Sequence, residues 1–274
     1  MSTTACDGSV SVWASVGRLA RLAVLGGVSG LAGCATSPSA QSRVPELQAL
    51  ATSPEAAGTL VYRGEVFAPK RDGAVFEYER RVAGRGDAMV STHVSFDTAH
   101  TLAVVHVAEH GAEYAVRRFD SLHAQTGTSG TMQVDAQGDL HFEVLDNGRR
   151  RTRTERASNP VVVGPTLFGY TLAHWDALVA GDALDVQFAV VERARTYGFT
   201  LSVSAHDTHT TTVAMRGRGA MTRMAVPTMH LVFDTASRKI LRYEGRVPPL
   251  LSRGGKLRPL DARVEYSFAA VGYR

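Results

Sequence analysis

The chain has 274 residues, of which 44% are hydrophobic, and its 30 basic and 26 acidic side chains give a formal net charge of +4. The basic and acidic residues are interspersed, so the charge pattern gives no electrostatic argument for a nucleic-acid-binding protein. The length is sufficient to bury a hydrophobic core, and the only cysteines are Cys6 and Cys34.

Residues 1–33 are typical of a targeting segment. Arg18 and Arg21 precede an apolar stretch, Leu22 to Leu31, and small residues follow it at the expected point of cleavage. This stretch is too short to span a bilayer stably, because spanning takes about 20 apolar residues. The alternative interpretation is an ordinary secretory signal that happens to contain a cysteine.

The segment Leu31-Ala32-Gly33-Cys34 resembles the lipobox of bacterial lipoproteins. The resemblance implies cleavage before Cys34 and attachment of the chain to a membrane through lipid, such as palmitate, on that cysteine. Because Cys6 leaves with the leader and Cys34 carries lipid, no disulfide is expected in the mature chain. The resemblance further implies release to the outer membrane, since Ala35 and not aspartate follows the cysteine, with the domain facing the periplasm.

Residues 34–58 are rich in Ser, Ala, Thr, Pro and Gln, a composition that buries little apolar surface. We expect a flexible tether there, interrupted by a short amphipathic turn from Val44 to Leu50. A single β-rich domain is expected over residues 59–274. The alternative is two β units joined near Pro160.

After the tether, short runs of alternating apolar and polar residues predict strands. The turns Lys70-Arg71-Asp72-Gly73 and Asp146-Asn147-Gly148 are typical of hairpins, and Asn-Gly is the strongest short-range hairpin signal. The first half is therefore expected to be an antiparallel meander. Its predicted strands cover residues 59–67, 74–82, 88–96, 101–107, 113–122, 131–135, 140–145 and 151–157.

One central helix is predicted over about residues 165–180. Pro165 favours a helix start and Gly181 a helix end. The apolar face of this helix is expected to carry the residues that repeat at helical spacing, which are Phe168, Leu172, Trp175 and Val179.

Strand patterns resume after the helix. They cover residues 183–195, 197–205, 210–215, 220–225, 229–233, 240–245 and 262–271. The predicted fold is mainly β: a large curved antiparallel sheet or open barrel, with the central helix against its concave face.

His206-Asp207-Thr208-His209 is the densest group of possible metal ligands. Both imidazoles could face one ion from a turn, but on a strand residues three apart point to opposite faces. We expect a polar hairpin here, and no metal site or cofactor. Surface or cross-strand polar positions are expected for four more histidines, of which no two have the i, i+2 spacing of ligands on one strand: His93, His100, His106 and His110.

Phe168, Tyr170 and Trp175 are the candidate ligand-lining residues. In an open barrel, the lining of the core and the lining of a ligand cavity can be the same surface. One interpretation is core packing. The other is an apolar cavity beside these rings that holds a lipid or another apolar ligand.

The sequence favours a binding protein over an enzyme. After residue 33 it contains neither a Gly-x-Ser-x-Gly nucleophile elbow nor a phosphate-binding Gly-x-x-x-x-Gly-Lys-Ser/Thr loop, and we expect no catalytic residue. The basic run Arg149-Arg150-Arg151-Thr152-Arg153 has two interpretations. It is either a charged strand end that discourages edge-to-edge sheet pairing or a contact for anionic lipid head groups.

A series of short motifs lies between Val161 and the end of the chain: Trp175-Asp176-Ala177-Leu178 with Gly181, Tyr197-Gly198-Phe199, Val232-Phe233-Asp234, Ser237-Arg238 and Leu241-Arg242-Tyr243-Glu244-Gly245. Together they resemble a family of uncharacterised proteobacterial envelope proteins, which implies a secreted β-sheet domain. Two functions are expected from these observations. The first is a carrier that binds an apolar ligand or lipid in a β-sheet cavity, and the second is a non-enzymatic scaffold of the outer membrane that binds an envelope protein.

Overall fold

The structure, a computed structural model, describes residues 39–269. The predicted leader, Cys34 and the first residues of the predicted tether lie outside the described residues. The strands in chain order are β1 (Thr59–Phe67), β2 (Phe76–Arg85), β3 (Ala88–Asp97), β4 (Leu102–His110), β5 (Val116–His123), β6 (Thr128–Val134), β7 (Asp139–Asp146), β8 (Arg149–Arg156), β9 (Val161–Val162), β10 (Leu184–Val190), β11 (Arg195–His206), β12 (Thr210–Gly217), β13 (Met229–Asp234), β14 (Ile240–Arg253) and β15 (Lys256–Phe268).

All these strands belong to one curved sheet. Its order is β8-β7-β6-β5-β4-β3-β2-β1-β15-β14-β13-β12-β11-β10-β9, and every neighbouring pair is antiparallel except β9 and β10. The first eight strands form the predicted meander, and the long β14–β15 hairpin extends the sheet beside β1. The predicted fold class is confirmed, and no break between two sheets occurs near Pro160.

The α-helices are α1 (Ala40–Thr52), α2 (Gly164–Ala173), α3 (Trp175–Val179) and α4 (Ala220–Ala225). Short 3₁₀ turns occupy Pro54–Ala57, Ala112–Tyr114 and Val191–Arg193. Within residues 39–269, no helix has both the length and the apolar character that crossing a membrane requires.

The prediction of a flexible tether over residues 34–58 is wrong for the part that the structure describes. The Ser39 hydroxyl caps α1 by accepting a hydrogen bond from a first-turn N–H, and Leu47 is buried against Val94 and Val105 of the sheet. The polar composition concealed one apolar stripe, Val44-Leu47-Leu50, whose spacing places it on one side of a helix. The predicted amphipathic turn is therefore part of a docked helix.

The predicted central helix is divided at His174. The backbone of this residue leaves helical geometry at φ −109° and ψ 21°, and its Nδ1 lies 3.0 Å from the Tyr170 carbonyl oxygen. The division changes which side of the second part is buried. Leu178 is fully buried, whereas Val179, predicted on the apolar face, is 37% exposed.

Residues 220–225 form α4 and not the predicted strand. Gly219, at φ 79°, turns the chain away from β12 just before this helix. Alanine, methionine and arginine all favour helix over strand. Met221 and Met224 point outward from α4 and are 85% and 88% exposed.

The sheet carries packed elements on both faces. Its inner face bears α2 and the largest cluster of buried side chains, including Tyr62, Phe168 and Phe233. On the outer face, α1 lies against β4, β5, β6 and β7, and its apolar stripe also packs with side chains of β3. The 191–193 turn, at the tip of the β10–β11 hairpin, packs on the inner side of β5, β6 and β7 and so connects the two halves of the sheet.

Candidate functional site

The predicted ligand-lining residues are buried, and each of them packs against another ring. Phe168 is 8% exposed, and its ring centroid lies 6.3 Å from that of Phe233. Trp175 packs edge-on against the same Phe233 ring at 5.4 Å. Tyr170 is also buried, but its ring lies against His174, with centroids 4.3 Å apart. The structure therefore brings Phe168 and Trp175 together on the Phe233 ring and places Tyr170 against His174 instead.

A second group of side chains on the inner face is polar although it is buried. His93 on β3, His106 on β4 and Ser121 on β5 are successive cross-strand neighbours in the register of the sheet. Hydrogen bonds and charge interactions connect these three side chains with five more on the inner face. We call the whole set the inner polar cluster; its members are Arg80, Ser91, His93, His106, His110, Ser121, His123 and Glu192.

Hydrogen bonds in this cluster join distant parts of the sheet. Arg80 Nη2 donates to the Ser91 hydroxyl at 3.3 Å, and that hydroxyl lies 3.0 Å from His110 Nε2. His123 Nε2 lies 2.9 Å from the Pro248 carbonyl oxygen, which connects β5 to β14. The cluster therefore contributes to holding the β14–β15 hairpin against the first half of the sheet.

Glu192 reaches the cluster because Gly130 on β6 has no side chain. A methyl group at Gly130 would overlap Cγ1 of Val191, so glycine lets the 191–193 turn approach the sheet. Glu192 Oε1 then accepts a hydrogen bond from the Ser121 hydroxyl and lies 3.7 Å from His106 Nε2. One carboxylate thus bridges two side chains of the neighbouring strands β4 and β5.

Burial and charge act on the titration of these groups in different directions. Burial raises the pKa of the Glu192 carboxyl, but His106 and the Ser121 hydroxyl lower it by more, to a net value of about 2. Burial lowers the pKa of His110 and of His123, and it lowers that of His93 strongly, with further lowering by the neighbouring positive charges. At neutral pH, Glu192 is therefore ionised and these three imidazoles are neutral.

The cluster does not have the arrangement of a serine hydrolase. In a Ser-His-Asp triad the imidazole lies between hydroxyl and carboxylate, whereas here Glu192 lies between Ser121 and His106. Ser121 is fully buried, so a substrate has no access to its hydroxyl in this conformation. Within the described part of the chain, no three His, Cys, Asp or Glu side chains form a group that could hold a metal ion. The geometry supports a structural role for the cluster.

The histidine motif found in the sequence forms the hairpin turn between β11 and β12. The Asp207 carboxylate accepts hydrogen bonds from the N–H groups of His209 and Thr210, each at 2.7 Å. His206 Nδ1 lies 2.8 Å from the Thr211 hydroxyl. These bonds confirm the predicted polar hairpin.

The structure separates His100 from the three other histidines of the β3–β4 region. His100 is exposed, and His93 and His106 form a cross-strand pair, as predicted, but the pair and His110 lie on the inner face and not at the surface. Sequence reasoning missed the remaining members of the cluster, Arg80, Ser91, Ser121, His123 and Glu192. One signal was present, because a hairpin turn at residues 98–101 places His93 opposite His106.

The predicted basic run lies in β8, an edge strand of the sheet. Asn147 and Gly148 both have positive φ, at 49° and 79°, as a two-residue hairpin turn requires. The strand that follows is exposed along almost its whole length. In such a hairpin, hydrogen-bonded and non-bonded pairs alternate, so the N–H and C=O groups of every second residue of β8 point away from β7.

The start of α1 meets this edge of the sheet at one carboxylate. Glu143 on β7 accepts a hydrogen bond from the Ala40 N–H at 3.2 Å and another from Arg150 at 2.8 Å. The described chain therefore begins beside β8, on the outer face of the sheet.

Comparison with known proteins adds little to this description. No family description matches the chain, and no curated protein matches it. One similar solved structure is a beta-barrel-like protein of a domain of unknown function, DUF1849, from Brucella abortus. The two chains share 8% identity over 77% of this chain and 94% of that chain, with a TM-score of 0.33. A similarity of this size carries no argument about function, which has to come from the residues themselves.

Proposed function

We propose that this chain is an envelope lipoprotein, attached to the outer membrane through lipid on Cys34, whose β domain binds a partner protein without catalysing a reaction. The observation that favours a scaffold over a carrier is the aromatic packing around the predicted ligand-lining residues. Phe168 and Trp175, which a carrier would use to line an apolar cavity, pack on Phe233 instead.

The lipid anchor is supported by Leu31-Ala32-Gly33-Cys34 and by the apolar stretch before it. The docked helix α1 changes the consequence of that anchor. Five residues, 35–39, separate Cys34 from Ala40, so a lipidated Cys34 holds the sheet close to the membrane surface and leaves little freedom to reach away from it.

A partner protein would find exposed apolar side chains on α4. Met221 and Met224 are the most exposed large hydrophobic residues of the described chain, at 85% and 88%. Flexible methionine side chains adapt to different partners, and exposed apolar residues are a common feature of protein-binding surfaces.

Site-specific photo-cross-linking in cells tests the proposal. We place the photoreactive residue at Arg223, between the two methionines, and at Thr208 in the β11–β12 turn as the control. We expect a discrete cross-linked partner at Arg223 only, and its loss in the Met221→Glu/Met224→Glu variant. An equimolar lipid extracted from the purified protein, with no cross-link at Arg223, contradicts the scaffold and favours the carrier.

A further inference from the structure

We infer that β8 is the surface by which the domain docks onto the anionic head groups of the membrane that holds its lipid. This inference rests on the proposed function, because the lipid on Cys34 is what brings β8 to that membrane. It assigns the basic run of the sequence to one occupant, a phosphate-bearing lipid surface.

The position of the anchor supports this choice. Six residue steps join Cys34 to Ala40, and a fully extended chain of that length covers at most about 20 Å. Ala40 and Arg150 share the carboxylate of Glu143. The segment that leads to the lipid therefore ends beside the basic edge strand, and not at a distant part of the sheet.

The exposure of the charged groups gives the direction of the attraction. Arg150 and Arg156 each have a carboxylate neighbour, but in both pairs the arginine side chain is the more exposed. The exposed fraction is 65% for Arg150 against 17% for Glu143, and 68% for Arg156 against 31% for Asp139. A surface that approaches the edge meets the guanidinium groups first. Arginine suits this role because its planar group can donate several hydrogen bonds to one phosphate.

The same geometry argues against pairing of β8 with a second copy of itself. An antiparallel pair of β8 strands centred on residue 153 would place Arg150 opposite Arg156 and Arg153 opposite itself, and like charges in direct opposition are destabilising. These three like-charge pairs outnumber the two Arg151–Glu155 pairs of the same register. Anionic head groups place no positive charge opposite these arginines. They also leave the outward N–H and C=O groups of β8 in a hydrated layer, where these groups do not need a partner strand.

The expected strength of this contact is modest for each residue. A basic side chain near an anionic leaflet strengthens association with the membrane about fivefold. Arg150, Arg153 and Arg156 together should therefore strengthen it about a hundredfold. Two or three acyl chains already hold a protein stably at a membrane. The arginines would therefore fix the orientation of the domain, while the lipid fixes its location.

The test uses the mature lipidated protein in vesicles of phosphatidylcholine, alone or mixed with phosphatidylglycerol. Because Cys34 carries lipid and no other cysteine follows the leader, Thr152→Cys gives a unique attachment site for a nitroxide on β8, and Thr208→Cys gives a control site. The measurement is the collision rate of the nitroxide with a water-soluble nickel reagent and with oxygen dissolved in the lipid.

We expect the label on β8 to be shielded from nickel in the anionic vesicles and open to it in the neutral ones, with no such difference at residue 208. Arg150→Gln/Arg153→Gln/Arg156→Gln should abolish the shielding. The matched variant Arg253→Gln/Lys256→Gln/Arg258→Gln, which removes the same charge from the β14–β15 turn, should retain it. Replacing the three β8 arginines by lysine should also retain it, which separates loss of charge from misfolding.

The outcomes distinguish the inference from the function on which it rests. An acylated protein whose β8 label is equally open to nickel in both vesicles overturns the inference alone. That result is also the one expected if β8 binds an acidic strand of a partner protein. Equal loss of shielding in the β8 and the β14–β15 glutamine variants would overturn the inference as well. The shielding would then depend on the net charge of the protein and not on the arginines of β8. A protein without acyl groups overturns the proposed function and this inference together.

Discussion

Two regions of the inner face attach an inserted element to the same sheet by different means. Around Phe168, α2 is held by aromatic rings, with Tyr62, Phe233 and Tyr266 as neighbours. Around Glu192, one charge, one hydroxyl and one imidazole hold the 191–193 turn, in addition to the buried side chain of Val191. The first region depends on buried apolar area, and the second depends on the ionisation of its side chains.

This difference predicts that the two regions respond differently to truncation and to pH. A packed aromatic region loses stability in proportion to the volume that is removed, at any pH. A buried polar region loses stability when one partner is removed or changes its protonation.

Phe168→Ala should lower the free energy of unfolding by about 3–5 kcal/mol, because it leaves a cavity among rings that are already packed. Urea denaturation at pH 7 and at pH 5 should give the same loss. Val179→Ala is the matched control on the second part of the central helix. Since Val179 is 37% exposed, its replacement should cost about 0.5 kcal/mol or less. A similar loss in both variants would show that the helix is packed in a different register.

Glu192→Gln should cost about 2–3 kcal/mol at pH 7, somewhat less than removal of one partner from a fully buried ion pair, because the Glu192 side chain is 26% exposed. Glu265→Gln is the control, since that carboxylate lies at the surface beside Arg263. Denaturation midpoints measure both. Equal midpoints for the two variants would mean that the Ser121 and His106 contacts of Glu192 do not stabilise the fold.

Gly130→Ala should cost about 1–3 kcal/mol, because the new methyl group overlaps Val191 and forces the 191–193 turn away from β6. Val191→Ala in the same chain should recover part of this loss. A double-mutant cycle by urea denaturation measures the coupling between the two positions. Strict additivity would contradict the close approach of the turn to the sheet.

The contrast also predicts a pH dependence of the unmodified protein. The pKa values of His93, His110 and His123 are lowered by folding, so the unfolded chain takes up protons first and stability falls as the pH drops below about 6.5. The Glu192 carboxyl has its pKa lowered to about 2, so a further loss follows as the pH falls from about 4.5 towards 2.

Urea denaturation at a series of pH values measures whether stability falls as the pH drops. Glu192→Gln should reduce the loss between pH 4.5 and 2 and leave the loss below pH 6.5 in place. Part of the acid loss should remain, because the pKa values of four aspartates are also lowered by their hydrogen bonds: Asp87, Asp135, Asp207 and Asp234. A protein that becomes more stable between pH 7 and pH 5 would contradict the buried neutral histidines.

The apolar region was largely predictable from the sequence, whereas the polar region was not. Alternation of apolar and polar residues located most strands, because each strand buries one face against neighbours in the meander. Phe168 and Trp175 could be assigned to a buried helix face from their spacing alone. The exposure of Val179 could not be predicted in this way, because it follows from the break of the helix at His174. No local signal in the sequence marks that break.

The inner polar cluster depends on contacts between residues far apart in the chain. Ser121 and Glu192 lie 71 positions apart, and His123 lies 125 positions from Pro248. Contacts between residues this far apart produce no periodic pattern in the sequence. Only the pairing of His93 with His106 could be read locally, from the β3–β4 turn.

The first helix shows how composition misleads. Residues rich in Ser, Ala and Pro indicated a tether, but three apolar residues and the Arg43–Asp120 ion pair join α1 to the sheet. For the proposed anchor this matters, because five residues of sequence and not about 24 separate Cys34 from the first helix of the domain.

The most direct test of the account is the mass of the N-terminal peptide of the mature protein purified from membranes. The account predicts that this peptide begins at Cys34 and carries a diacylglyceryl group and palmitate or a similar acyl chain, and that the Cys34→Ala variant incorporates no lipid label. A mature chain that retains residues 1–33, or whose Cys34 is free of lipid, would contradict it.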